Sequence, residues 1–179
     1  MKAIVWTKYG PPDVLQLKEV EKPTPKDDEV LVKVHAASIN SWDWDLLRGT
    51  RFMARLGGLL KPKNKILGTD IAGRVEAVGR NVKQFQPDDE LFGINNFGAF
   101  AEYVCVDENA LALKPASMTF EEAAAVPMAA GSALQGLRDN GQIQPGQEVL
   151  INGAAGGVGA FAVQIAKSFG AEVTGVCNT

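Results

Sequence analysis

Residues 148–176 hold the feature that most restricts the fold. Glu148 to Asn152 (EVLIN) is a short apolar run of strand type, Gly153 to Gly159 (GAAGGVG) is a glycine-rich turn, and Glu172 to Val176 (EVTGV) is a second strand. From Val158 onward, Phe161, Ala162, Ile165, Ala166 and Phe169 recur at helical spacing, and Gly170 stands where a helix cap is expected. Strand, turn, helix and strand make a βαβ unit, which places this end of the chain in an α/β layer. Ala154-Ala155-Gly156-Gly157-Val158-Gly159 fits G-x-G-x-x-G/A with alanine in the first place. Gly156 would let the backbone approach a pyrophosphate, and Gly159 would let the helix pack closely. The helix N-terminus would offer free N–H groups and partial positive charge to the phosphates. The context predicts dinucleotide binding; a purely structural glycine turn is the alternative.

The second strand of such a unit ends in Asp or Glu when the ligand is NAD, about 20 residues past the loop. Val173 to Thr179 contains no acid, and Glu172 stands at the wrong end of the strand. The hydroxyl of Thr179 suits a ribose 2′-phosphate, and Cys177 and Asn178 lie near the adenosine end. NADP (NADPH) is therefore expected in preference to NAD.

The first two thirds of the chain read as β structure. Val30, Val32 and Val34 alternate with Leu31, Lys33 and His35, and Phe100 to Val106 alternates likewise. Thr69 to Val78 is a third strand, with Gly73 marking a bulge or a barrel corner. Short strands separated by Pro- and Gly-bearing turns predict a small barrel or sandwich. Ser41 to Leu47 reads as a short helix with Trp42, Leu46 and Leu47 on one side, ended by Gly49. The period changes at Thr119, where Thr119 and Glu122 fit a capping box; Pro127 then interrupts, and a helical run from Ala129 to Asn140 ends at Gly141. The expected domains are a β domain over 1–120 and the start of a cofactor domain over 121–179, with the boundary falling between 115 and 128.

Composition removes several function classes. Two cysteines, Cys105 and Cys177, and one histidine, His35, cannot build a four-ligand Cys/His zinc site. A net charge of −3 without a Lys/Arg cluster argues against nucleic acid and anionic membrane as partners. The apolar run Ala3 to Trp6 is too short for a signal peptide, and no apolar stretch approaches a membrane span. The expectation is a cytoplasmic protein whose partner is a small molecule.

Four stretches together resemble the medium-chain dehydrogenase/reductase superfamily, in its zinc-free quinone-oxidoreductase-like branch. They are Ala36 to Gly49 (AASINSWDWDLLRG), Ile66 to Gly79 (ILGTDIAGRVEAVG) with Val82, Phe85 and DELFG at 89–93, Glu121 to Leu137 (EEAAAVPMAAGSALQGL), and Val149 to Gly159. The resemblance implies a GroES-like β-barrel domain followed by a Rossmann domain, with the active site in the cleft between them. Zinc-dependent members carry Cys-His where this chain has Asn40-Ser41 and His-Glu where it has Thr69-Asp70, so the resemblance implies chemistry without zinc. It also implies an NADPH-dependent oxidoreductase that delivers hydride to a quinone, an enone or a related carbonyl compound, with hydrogen bonds stabilising the carbonyl oxygen in place of a metal.

By family position, Asn40 and Asp43 are the candidate catalytic residues: the amide donates to a developing oxyanion, and the carboxylate orients a donor or a water. The alternative is that both cap the short helix. Ser132 stands near the nicotinamide amide or is an ordinary helix serine. Trp42 and Met128 line the substrate pocket or pack in a core. His35 is expected to be structural and Cys105 a small core hydrophobe. Asp88 replaces a glycine of the family's turn, which predicts strain there. With room for one βαβ unit after Glu148, the chain reads as a truncated member, inactive alone, whose open strand edge favours association such as a homodimer. A non-catalytic GroES-like module or a nucleotide-binding fragment is the competing reading.

Overall fold

Alternating valines set the first sheet. β3 (Glu29–Ala37) buries Val30 and Val32 completely and pairs on either side with β4 (Asp70–Val78) and β6 (Tyr103–Asp107). The computed structural model describes residues 1–50 and 58–178. In it, β5 (Glu90–Ile94) and β7 (Leu111–Leu113) complete an antiparallel sheet ordered β6-β3-β4-β5-β7. β1 (Lys2–Val5) and β2 (Gln16–Glu19) form a separate antiparallel pair. The core holds Val30, Val32, Ile71, Leu91 and Val106, each at most 1% exposed.

The strand expected from Phe100 begins at Tyr103 instead. Ile4 N–H donates to the Phe100 carbonyl and Val34 N–H to the Glu102 carbonyl, both at 2.9 Å, so this short segment passes from one sheet to the other. Gly73 lies where the β3–β4 register shifts between Val34 and Ala36. A Cβ at Gly73 would strike the Lys33 carbonyl oxygen, which is why glycine interrupts this strand.

α1 (Ser41–Arg48) ends at Gly49 as the sequence predicts. It buries Leu46 and Leu47 against Trp6 and Leu67, while Trp42 stays 40% exposed and outside that cluster. α2 (Phe120–Ala124) carries the capping box, with Glu122 N–H donating to Thr119 Oγ1 at 3.1 Å and Thr119 N–H to Glu122 Oε2 at 2.8 Å. The chain divides into compact units Met1–Pro127 and Met128–Thr179. The first unit thus runs past residue 120, because Ala123 and Ala124 of α2 pack onto Ala72 of β4. Lys114, its side chain 5% exposed, secures this arrangement: Nζ donates to the Met118 carbonyl at 2.7 Å and pairs with Glu90 at 3.1 Å.

α3 (Pro127–Leu134) starts at the last residue of the first unit, its proline, and in the second unit widens into a π-type turn over Gln135–Asn140. β8 (Glu148–Asn152) and β9 (Glu172–Val176) pair in parallel from Glu148–Glu172 to Asn152–Val176, joined by α4 (Gly157–Ser168). Ala162 and Ala166 make the buried seam of α4, with Ile151, Ala133, Ile143 and Ala171, while Phe161, Ile165 and Phe169 flank it half-buried. The small seam lets the helix approach the strands closely. Val158, read as the first residue of the apolar stripe, is 46% exposed. Among the described residues no helix is long and apolar enough to cross a membrane.

Candidate active site and nucleotide loop

The polar centre of the first unit forms where β3 runs out and β4 begins. Their antiparallel register, with Ala37 opposite Ile71, sets Ser38 and Asn40 across from Thr69 and Asp70. Asn40 Nδ2 lies 3.2 Å from Asp70 Oδ2, 3.3 Å from Ser38 Oγ and 3.4 Å from Thr69 Oγ1. Ser38 Oγ donates to Asp70 Oδ2 at 3.1 Å. Thr69 and Asp70 are buried; Ser38 and Asn40 are half-buried and open the cluster to solvent. Ile39, 82% exposed, and Trp42 stand on the same stretch of chain.

Asp43 is 3% exposed, and its oxygens are occupied from within: Oδ2 accepts the Asn40 backbone N–H at 2.8 Å and Oδ1 the Gly68 N–H at 3.2 Å. It ties the start of α1 to the segment entering β4. Burial raises its pKa, the two N–H groups oppose that rise, and the nearby Asp70 charge adds to it. Asp43 thus closes the helix N-terminus, as the capping alternative has it, and fixes the backbone of Asn40.

The donors present do not fit zinc. Asn40, Ser41, Thr69 and Asp70, at the positions of the zinc-ligand pairs, supply one carboxylate, no thiolate and no imidazole. Among the described residues no three His, Cys, Asp or Glu gather as a metal would require. His35 stacks on Phe120 with ring centroids 4.4 Å apart, a packing role. Burial, helped by Glu29, pushes the Cys105 thiol up to about 11, so it is no thiolate at neutral pH.

In the second unit, α4 opens at Gly156, which brings no side-chain cap to the helix. The first intrahelical bond is Ala160 N–H to the Gly156 carbonyl at 2.8 Å, so the N–H groups of Gly157, Val158 and Gly159 precede the ladder. The loop is held from behind, since Gly153 and Ala154 donate to the Val176 carbonyl at 2.8 and 3.0 Å. Its glycines differ in what they serve, and Gly153 takes a left-handed φ of 78. At Gly159 a Cβ would strike the Gly153 carbonyl oxygen, so the loop's own packing excludes it. A Cβ at Gly157 would meet nothing within 4 Å, and one at Gly156 only the Gly153 oxygen at 3.2 Å. Gly156 has φ −79, open to any residue. Neither is needed to fold the loop, and both leave a clear approach for a phosphate. The loop therefore fits a dinucleotide pyrophosphate. Cys177 is exposed and follows β9 together with Asn178, while Thr179 lies outside the described residues. On α3, Met128 is half-buried and Ser132 exposed.

Residues 26–116 match the family model described as the alcohol dehydrogenase GroES-like domain. The chain belongs to the medium-chain dehydrogenase/reductase superfamily, in its quinone-oxidoreductase-like branch. A 2-methylene-furan-3-one reductase of Solanum lycopersicum is 39% identical over 183 residues, covering 96% of this chain and 46% of that protein. A quinone oxidoreductase of Sus scrofa is 37% identical over 181 residues, covering 100% and 53%. The Escherichia coli quinone oxidoreductase complexed with NADPH superposes with a TM-score of 0.87 at 32% identity, covering 100% of this chain and 53% of that one. The chain spans about half the length of the curated relatives it matches. Its family is one of oxidoreductases, and its architecture is that of GroES-like plus Rossmann proteins.

Sequence reasoning missed Ser38. Its signal was positional: two residues before Asn40 at the end of β3, it falls opposite Asp70 once β3 and β4 pair.

Proposed function

We propose that these residues serve an NADPH-dependent reductase that passes hydride to a quinone, an enone or a related carbonyl compound without zinc. The observation that carries this reading is the loop whose Gly156 and Gly157 are not required by the fold. The names of the quinone and furanone reductases among its relatives support the substrate class. The missing acid after Val173 supports NADP over NAD.

NADPH, when bound, supplies the hydride. The N-terminus of α4 would hold the pyrophosphate between Ala154 and Gly159, and Cys177 and Asn178 would meet the adenosine end, to which Thr179 is assigned from the sequence alone. Ser132 would meet the nicotinamide amide, and Trp42 and Met128 are the proposed substrate-facing residues of their respective units. The Asn40 amide donates to the substrate carbonyl oxygen as charge builds there, while Asp43 holds the Asn40 backbone in place. The chain supplies two parallel strands to the cofactor sheet, β8 and β9. The cytoplasm is the proposed location. The partners are small molecules, and a homodimer is the assembly to test by sedimentation.

Calorimetric titration tests the reading. NADPH is expected to bind at least about tenfold more tightly than NADH, a difference of roughly 1.4 kcal/mol, and Gly156→Val to abolish binding. Equal affinities, or unchanged binding by the variant, would overturn it. Nucleotide binding without quinone- or enone-dependent oxidation in the protein carrying these residues would favour a nucleotide-binding module.

A further inference from the structure

We propose that Asp70 is the positioning residue of this site and acts through the side-chain amide of Asn40. The inference rests on the reading of Asn40 as the donor to the substrate oxygen. Asp70 is 0% exposed at the first position of β4, where a carboxylate is tolerated only if its oxygens are hydrogen-bonded. Its Oδ2 gathers Ser38 Oγ at 3.1 Å and Asn40 Nδ2 at 3.2 Å.

An asparagine amide has nearly the same shape with its oxygen and nitrogen exchanged, so its neighbours decide which way it points. The Thr69 hydroxyl accepts or donates equally well, and the Ser38 hydroxyl accepts from Asn40 because its own hydrogen is given to Asp70 Oδ2. An ionised carboxylate only accepts. Of the three groups around Nδ2, Asp70 is therefore the one that dictates that the nitrogen, not the oxygen, faces the cluster.

The distances indicate how the donor is shared. Two N–H bonds face three acceptors at 3.2 to 3.4 Å, all longer than the usual 2.9–3.0 Å. Ser38 and Thr69 are exchangeable partners. A substrate oxygen can replace either hydroxyl while Asp70 retains the other N–H, and the charge on Asp70 polarises the amide toward donation. Asp43 has a different task, because it holds the Asn40 backbone N–H and not the side chain. Asp70 thus aims the donor without touching substrate.

Nuclear magnetic resonance of the 179-residue chain separates these roles. The Asn40 side-chain amide is assigned by its loss in Asn40→Asp. In Asp70→Asn that resonance is expected to move to the position of solvent-exposed amides and to exchange with water faster by roughly tenfold or more, while the amides of Val30 and Val32 stay in place. Asp43→Asn is expected to move the Asn40 backbone amide instead. Ser38→Ala should leave the side-chain amide anchored, which keeps the proposal decidable if Asp70→Asn fails to fold. In NADPH-driven quinone reduction by the protein carrying these residues, Asp70→Asn should lower kcat roughly ten- to hundredfold with KM nearly unchanged, and Asp70→Glu should recover part of the loss. An Asn40 resonance unmoved in Asp70→Asn, or moved as far by Ser38→Ala, overturns the proposal, as does an unchanged kcat. A wild-type protein without reductase activity would refute the functional reading, while the resonance experiment would still decide the role of Asp70.

Discussion

Replacing Asp43 with alanine removes both acceptors of two N–H groups, Asn40 at 2.8 Å and Gly68 at 3.2 Å, from a side chain that is 3% exposed. Each hydrogen bond to a charged group contributes about 1.5–3 kcal/mol, and loss of a helix cap costs about 1 kcal/mol. Against that stands relief from burying the carboxylate, the same burial that raises its pKa. The net loss is expected at about 2–4 kcal/mol, or a fall in Tm of roughly 6–12 °C. The assay is a thermal melt followed by tryptophan fluorescence. All three tryptophans, Trp6, Trp42 and Trp44, lie in the unit Met1–Pro127, so the signal reports that unit alone. A loss below about 1 kcal/mol, less than a single charge-assisted bond contributes, would refute the view that Asp43 closes this junction.

Asp43 also predicts a pH dependence. Its pKa in the folded protein lies above the ordinary 3.8, so the protonation-linked part of its contribution is full below that value and is lost as pH rises through the folded pKa, leaving its two N–H bonds in place. The stability gap between the wild type and Asp43→Asn should therefore be widest in acid and narrow toward neutrality; denaturation midpoints across pH will show it, and a gap that widens upward would contradict it. Asp88 adopts φ 75, a conformation glycine takes without strain, and Asp88→Gly should raise the stability of the first unit by about 0.5–1 kcal/mol in the same fluorescence melt. Gly157→Ala, which meets nothing within 4 Å, should stabilise α4 by about 0.5–1 kcal/mol while weakening NADPH binding. Gly159→Ala, which strikes the Gly153 carbonyl, should destabilise the second unit by about 1–3 kcal/mol, as read by hydrogen exchange of its amides.

The elements most legible in the sequence were those whose local signals agreed. Alternation gave β3, the EVLIN and EVTGV runs gave β8 and β9, and the Thr119–Glu122 box fixed the start of α2. The replaced glycine at Asp88 predicted strain, and the backbone there has the left-handed φ. What stayed hidden depends on pairing across distance. The passage of Phe100–Glu102 between two sheets follows from hydrogen bonds to Ile4 and Val34, which no local pattern announces. The attachment of α2 to the first unit depends on Ala72, some fifty residues earlier, and on a lysine that reads as a surface residue until Glu90 and the Met118 carbonyl enclose it. At the candidate site, Asn40 and Asp43 were legible as a helix-start pair. The roles of Ser38 and Asp70 emerge only once β3 and β4 pair and bring both to one amide.

We propose hydride transfer from NADPH by a site that uses side-chain hydrogen bonds in place of zinc. Its most direct test is quinone-dependent NADPH oxidation by the protein carrying these residues, measured before and after exhaustive chelation with metal content assayed in parallel. Turnover that survives removal of metal and is lost in Gly156→Val is the predicted result. Activity that disappears with zinc and returns when zinc is restored would contradict it.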